Sequence, residues 1–459
     1  MSSKFSKDPD IDRSLRHSLR DGVAFSVQVG AGETYFSAFA LFLRATASEV
    51  ALLSTLPLLL GSLAQVFSAW LGRFAGRRRL VLVGCTLQAA LWLPILFVPV
   101  LFEQQPIAGL LLLLAIYHSA HNLSAPQWTS IMRDLVSDRR RGRYFGHRTR
   151  LTTITTFASL VIAGFILNAF DSAGRTYAGF AIIFLAAFIA RSVSVYHLTY
   201  LHEPRADTAA PDMHVSHWWR GLVESGAVAF STYYALINAA VGISAPFFAV
   251  YMLRDLELSY LAFMVLTGTS VFTQFLTLAT WGRVADIFGN RLILRVTSMS
   301  LPIVPLLWLV SDNFWYLIAC QAISGFSWSG FALASGNLLY ELVPRSRRAA
   351  FVAFHNVGAA SGVFCGAMLG AALVLVLPVR GVLLSDSGIA TNLLYLFALS
   401  GILRAVIAAL LLRRVREIRK PRKDISAGSL VLRITGFSAM LDLLYDFIGR
   451  RPSDDDGPP

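Results

Sequence analysis

The chain has 459 residues, 55% of them hydrophobic and 15% charged, with a mean hydropathy of +0.59. Soluble domains carry about 25% charged residues, so a large water-soluble core is excluded and a membrane protein of many spans is expected. The net charge of +13 does not point to nucleic acid, because the basic residues sit in short connections between apolar runs, where they set membrane orientation.

Residues 1–21 read as a charged cytoplasmic tail mixing Lys4, Lys7, Arg13, Arg16 and Arg20 with Asp8, Asp10 and Asp12. No short apolar region with a small-residue cleavage site follows, so the first apolar segment is expected to stay as a span. A spanning helix needs about 20 apolar residues, and twelve segments qualify: 22–44, 48–71, 79–101, 106–130, 150–170, 176–200, 225–252, 258–281, 291–311, 313–339, 349–377 and 390–412. Even-numbered connections are rich in arginine, with Arg73 and Arg77 to Arg79 in one and Arg139, Arg140, Arg141, Arg143 and Arg148 in another. Odd-numbered connections hold at most one apiece, such as Arg44, Arg175, Arg254 and Arg380. That alternation places both termini on the cytoplasmic side of the membrane. The three cysteines, Cys85, Cys320 and Cys365, fall inside apolar segments and read as small packing residues.

The connection 201–224 is the one long polar insert, with Trp218 and Trp219 expected at the headgroups. It divides a bundle at 22–200 from a second at 225–412. The tail 413–459 begins with a basic cluster and continues with Leu430, Ile434, Phe437, Leu441, Leu444 and Ile448 at helical spacing, as in a helix lying flat on the membrane.

Between spans eight and nine runs Trp281-Gly282-Arg283-Val284-Ala285-Asp286-Ile287-Phe288-Gly289-Asn290-Arg291. Its Gly-x-x-x-Asp-x-x-Gly-x-Arg spacing resembles the loop signature of the major facilitator superfamily of secondary transporters. A weaker echo at Ala69–Arg79 keeps Gly76 but has Arg73 where the acid should be; Gly76 and Gly289 lie 213 residues apart. Arg191 and Arg404 repeat at the same offset, and Val29-Gly30 matches Val241-Gly242. Gly32-Glu33-Thr34-Tyr35 and Arg141-Gly142-Arg143-Tyr144-Phe145-Gly146 resemble a bacterial branch of that superfamily. The resemblance implies an all-α fold of two pseudo-symmetric six-helix bundles around a central cavity, in a bacterial inner membrane. It also implies a cytoplasmic latch formed by Gly282, Arg283, Asp286, Gly289 and Arg291, with no matching latch around Arg73.

Glu33 lies about halfway through the first span, where a carboxylate costs ~3 kcal/mol and faces the interior or a wet cavity. It is either a proton or cation coupling site or a protonated acid bonded to a neighbouring helix. Gln28 and Tyr35 flank it. His118, His121 and Asn122 share one face of the fourth span and read as a polar lining in preference to a metal site. Asn238, Gln274, Trp328 and Asn337, with Ser244, His355 and Asn356, are further cavity candidates or interhelical hydrogen bonds. Arg191 and Arg404 either snorkel to the interface or make an ion pair or anion contact. Gly358, Gly362, Gly366 and Gly370 form a ladder for close helix approach.

No phosphate loop, nucleophile elbow or metal-ligand spacing is present in the sequence. The expectation is therefore a monomeric carrier, not an enzyme, with no cofactor and no nucleic-acid partner. It would move a small organic, amphiphilic solute through the lipid bilayer with protons or cations. The alternative is a non-transporting scaffold or assembly factor on the same fold.

Overall fold

Asp8 opens the first helix by accepting the amides of Asp10 and Ile11. From there the chain is almost entirely helical, and the computed structural model describes residues 5, 8–203, 226–343, 348–378, 380–381 and 390–415. The first half holds α1 (Pro9–Ala31), α2 (Phe36–Phe42), α3 (Ala47–Ala75) and α4 (Arg77–Ala90). It continues with the short α5 (Trp92–Leu96) and α6 (Val98–Leu101), then α7 (Pro106–Leu135), α8 (Asp138–Ser172) and α9 (Thr176–Leu198). The second half holds α10 (Ala227–Gly242), α11 (Phe247–Val250), α12 (Tyr260–Phe288), α13 (Asn290–Ser300), α14 (Ile303–Leu307), α15 (Phe314–Leu342), α16 (Arg348–Val376) and α17 (Leu393–Leu411). A two-residue antiparallel ladder, β1 (Arg380–Gly381) with β2 (Ala390–Thr391), closes the connection before α17. The amphipathic tail, most of the 201–224 insert and the arginines at 345 and 347 lie outside the described residues.

Among the described residues, ten helices are long and apolar enough to cross a membrane. The other two expected spans, 22–44 and 291–311, are interrupted helices. The first breaks at Gly32, where Glu33–Tyr35 form a 3₁₀ turn and the Thr34 hydroxyl donates to the Val29 carbonyl at 3.0 Å. Two glycines within three residues weaken the helix there, and the hydroxyl satisfies a carbonyl the break would orphan. The second breaks at Pro302, which has no amide to continue the ladder. A further difference concerns the arginines at 139–150. They sit on α8 itself, which starts at Asp138, twelve residues before the expected span. Exposed side chains such as Arg140 and Arg143 solvate that extension of the helix, and hydropathy marks only its apolar part.

The repeat seen in the sequence has structural counterparts. α3 turns into α4 through the single residue Gly76 at φ 76°, and α12 turns into α13 through Gly289 at φ 85°, a region that favours glycine. Gly30 lets α1 approach the Thr156 carbonyl of α8, and Gly242 lets α10 approach the Val363 carbonyl of α16.

Apolar packing treats the two ends of the molecule differently. At the end away from the Gly76 and Gly289 turns, one cluster merges both halves, with Phe39, Trp92, Phe180 and Phe184 beside Phe247, Tyr251, Phe263 and Phe397. At the turn end each half has its own core. One is built on Leu15, Ile131 and Tyr144, the other on Trp281, Leu294 and Phe331. The halves meet along α3 with α16 and along α8 with α12. There Phe157 packs on Phe272, the Leu261 amide donates to Asn168, and Asn356 donates to Gln65 at 3.2 Å.

Candidate functional site

The break in α1 places Glu33 inside the first half. Its Oε1 accepts from the Tyr117 hydroxyl at 2.6 Å and from Gln28 Nε2 at 2.8 Å. Gln28 also donates to the Tyr117 oxygen, so three polar groups from α1, the 3₁₀ turn and α7 close on one point. Tyr117 is fully buried, with its ring edge-on to Trp92 and Phe36. Several buried polar atoms nearby have no protein partner: Gln28 Oε1, the Trp92 indole nitrogen, and both amide atoms of Gln88, one turn before Trp92. Such atoms need hydrogen bonds, which water or a solute provides. His118 and His121 on α7 lie within electrostatic reach of Glu33.

On the turn side of this cluster lies a cavity of about 240 Å³ walled by α1, α4, α7, α8 and α9. Asp21, Phe25, His121, Trp128, Arg148 and Arg191 are its chemically distinctive lining. His121 stacks on Phe25 with centroids 5.5 Å apart. A second cavity of about 280 Å³ shares Phe25 and Arg148 with the first and runs past Thr152, Thr153 and Thr156 to Val271 of the other half.

The remaining residues named from sequence separate into distinct roles. Tyr35 is fully buried and its hydroxyl donates to the Leu160 carbonyl at 2.8 Å, so it braces α8 and does not face solute. Asn122 and Asn238 each bond a carbonyl one turn earlier on their own helix. Asn122 faces Gly61 on α3 while His121 faces α1, so the shared stripe of the fourth span is divided between two neighbours. Trp328 packs edge-on to Phe331. Gln274 is reached through its backbone carbonyl, which accepts from Ser329. Asn337 belongs to the charged turn, donating to Asn290, which in turn donates to Glu341. His355 bonds Ser231 at 2.8 Å between the rings of Phe230 and Tyr234. Arg191 and Arg404 are 3% and 2% exposed, which removes the snorkelling reading. Both turn inward because their own halves supply acceptors: Ser194 for Arg191, and Ser244 with the Leu301 carbonyl for Arg404.

Asp21, Phe25, Trp128, Arg148, Gln65 and Gln88 were not singled out by sequence reasoning. Asp21 falls at the end of the charged tail 1–21, and Arg148 falls among the arginines of an even-numbered connection. Their adjacency to apolar runs was the only available signal.

Comparison with known proteins settles the family. The profile of the Major Facilitator Superfamily matches residues 23–233 and again 229–448. The chain belongs to that superfamily. Its two matched halves coincide with the two helical halves. A multidrug resistance protein MdtG from Serratia proteamaculans is 27% identical over 168 residues, 36% of this chain and 39% of that protein. The chain therefore aligns with about two fifths of that curated relative. Among solved structures, a D-xylose-proton symporter superposes with TM-score 0.68 at 11% identity, covering 90% of this chain and 99% of that one. A bacterial homologue of ferroportin in an inward-facing state gives 0.64 at 15% identity, covering 89% and 99%. The nucleoside transporter NupG gives 0.62 at 15% identity, covering 88% and 98%. At these identities the superpositions show the superfamily fold, and the chain is a multi-pass membrane protein of a transporter family.

The charged turns of the two halves are built differently. In the second half, Arg283 and Asp286 are exposed on the last two turns of α12, and Arg291 reaches the Arg413 carbonyl at 3.5 Å. In the first half the motif acid is missing, yet the turn is anchored. Arg77 meets Asp134 of α7 at 2.7 Å and Glu203 at 3.5 Å. An acid at the end of the fourth span does for this turn what Glu341 does for Asn290 in the other.

Proposed function

We propose that the chain carries a small organic solute across the bacterial inner membrane by alternating access, with Glu33 coupling that movement to a proton or cation. The observation that carries this reading is the position of Glu33: a mid-span acid turned into its own helical half, bonded by Tyr117 and Gln28 and not presented to lipid. An ionisable group in that setting marks a coupling path. The unpartnered amide of Gln88 and indole of Trp92 support a hydrated pocket around it. The apolar cluster that joins the halves at one end only supports a state open toward the Gly76 and Gly289 turns. The arginine distribution supports a cytoplasmic position for that end, with Asp286, Arg283 and Arg291 closing it in the opposite state. Two cavities that share Phe25 and Arg148 in their walls support transport over a scaffold, whose interior would be filled.

Purified protein in liposomes containing a pH-sensitive dye tests the coupling. A panel of organic acids and amphiphiles should move protons together with at least one solute, faster with a pH gradient, and Glu33→Gln should reduce that coupled flux tenfold or more. Unchanged coupled flux in Glu33→Gln removes Glu33 from the mechanism, and no flux for any member of the panel favours the scaffold.

A further inference from the structure

The cavity between α1, α7, α8 and α9 is more cationic than a structural brace requires. One carboxylate, Asp21, 4% exposed, meets two guanidiniums. Arg191 reaches it indirectly: its Nη1 donates to the Ser194 hydroxyl at 2.8 Å, and that hydroxyl donates to Asp21 Oδ1 at 2.7 Å. Arg148 holds Asp21 Oδ2 at only 3.5 Å and the Ser18 carbonyl also at 3.5 Å. The Nε of Arg191 is buried without any acceptor. A buried cation short of acceptors is costly unless an anion completes its bonding.

The surroundings suit an organic anion. The Arg191 Cζ lies 4.9 Å from the Phe25 ring centroid and the Arg148 Cζ 4.4 Å from that of Trp128, so each guanidinium is held over an aromatic face. Gly22 makes this possible for Arg148, because a Cβ there would come within 2.9 Å of the guanidinium. Planar forks of this kind match carboxylate and related oxyanions. A volume of about 240 Å³ is below the usual range for drug-sized sites. Arg404, the counterpart of Arg191 in the second half, lines neither cavity.

Resting on the transport reading above and naming its substrate class, we propose that this cavity binds a small organic acid. The anionic group takes Arg148 and Arg191 in competition with Asp21, and the apolar body lies against Phe25 and Trp128. The threonine-lined cavity that shares Phe25 and Arg148 is the path from this site to the interface between the halves.

The test is a melting-temperature titration of the full-length protein in detergent with benzoate, benzenesulfonate and phenylphosphate, and with neutral benzamide as control. The assay has no bilayer and no gradient, so it stands or falls independently of coupling at Glu33. At least one anion should raise the melting temperature saturably while benzamide does not. Arg148→Gln should weaken the response roughly tenfold or more, and Asp21→Asn, which removes the competing carboxylate, should strengthen it. The opposite signs of these variants keep the result readable if one of them fails to fold. The proposal is overturned if no anion shifts the protein, or if benzamide shifts it equally. It is also overturned if both variants lower the melting temperature but leave the anion response unaltered, as an ion-pair brace would.

Discussion

Tyr117 and Gln28 fix Glu33 from two directions, so the residue that the sequence singled out for its cost is held by one neighbour the sequence set beside it, Gln28, and by one it did not, Tyr117. A mid-span acid is legible because hydropathy exposes it. The partner eighty-four positions away is not, because nothing local relates Tyr117 to the break at Gly32. A second titratable contact joins His17 of α1, which precedes the first expected span, to the last turn of α9. His17 and His197 share a hydrogen bond of 3.1 Å between their Nδ1 atoms, and His17 stacks on Tyr200. Burial, then His197, Arg20 and Arg13, hold the His17 imidazole below its ordinary value of 6.5. The unfolded chain therefore binds more protons just below that value, and folding stability falls as pH drops through it. Melting temperatures measured between about pH 5 and about pH 7 should decline on the acid side in the wild type and decline less in His17→Gln. Equal slopes would remove His17 from the account.

At the scale of the element, the glycines of α16 are sorted by what faces them. A Cβ at Gly362, Gly366 or Gly370 would overlap the carbonyls of Ala235 and Ala239 on α10 and of Ile243 just past its end, whereas at Gly358 it would meet only the Ala235 side chain at 3.9 Å. Gly366→Ala should therefore lower stability by about 1–3 kcal/mol through overpacking. Gly282→Ala on α12, where nothing lies within 4 Å, should leave it unchanged or raise it by up to about 1 kcal/mol. Thermal melts of the two variants check the contrast, and a Gly366→Ala protein as stable as wild type would show that the helices can part freely. The four-residue spacing of this ladder was readable because close approach demands small residues at helical period. The start of α8 was not, because a solvated helix and a charged loop share one composition.

At the scale of the molecule, the two halves and their repeat were readable from Gly76 and Gly289, from Arg191 and Arg404, and from Val29-Gly30 against Val241-Gly242. What joins the halves was not, since contacts such as Asn356 with Gln65 connect residues 291 positions apart. Near the joined end the Ser48 hydroxyl donates to the Ala371 carbonyl at 3.4 Å. In a background lacking Cys85, Cys320 and Cys365, the pair Ser48→Cys with Ala371→Cys should oxidise readily to a cross-link. That cross-link should arrest solute flux until it is reduced. Flux that continues through a complete cross-link, scored by gel mobility, would mean that this end never opens.

The junction of the halves also has a thermal consequence. It is aromatic and aliphatic, so separating it hydrates apolar surface and carries a positive heat capacity, whereas the turns at the other end are set by charge. Chilling loosens such a junction and leaves the charged end nearly indifferent. Growth temperature thus becomes a constraint on one face of this protein, and ionic strength a constraint on the other.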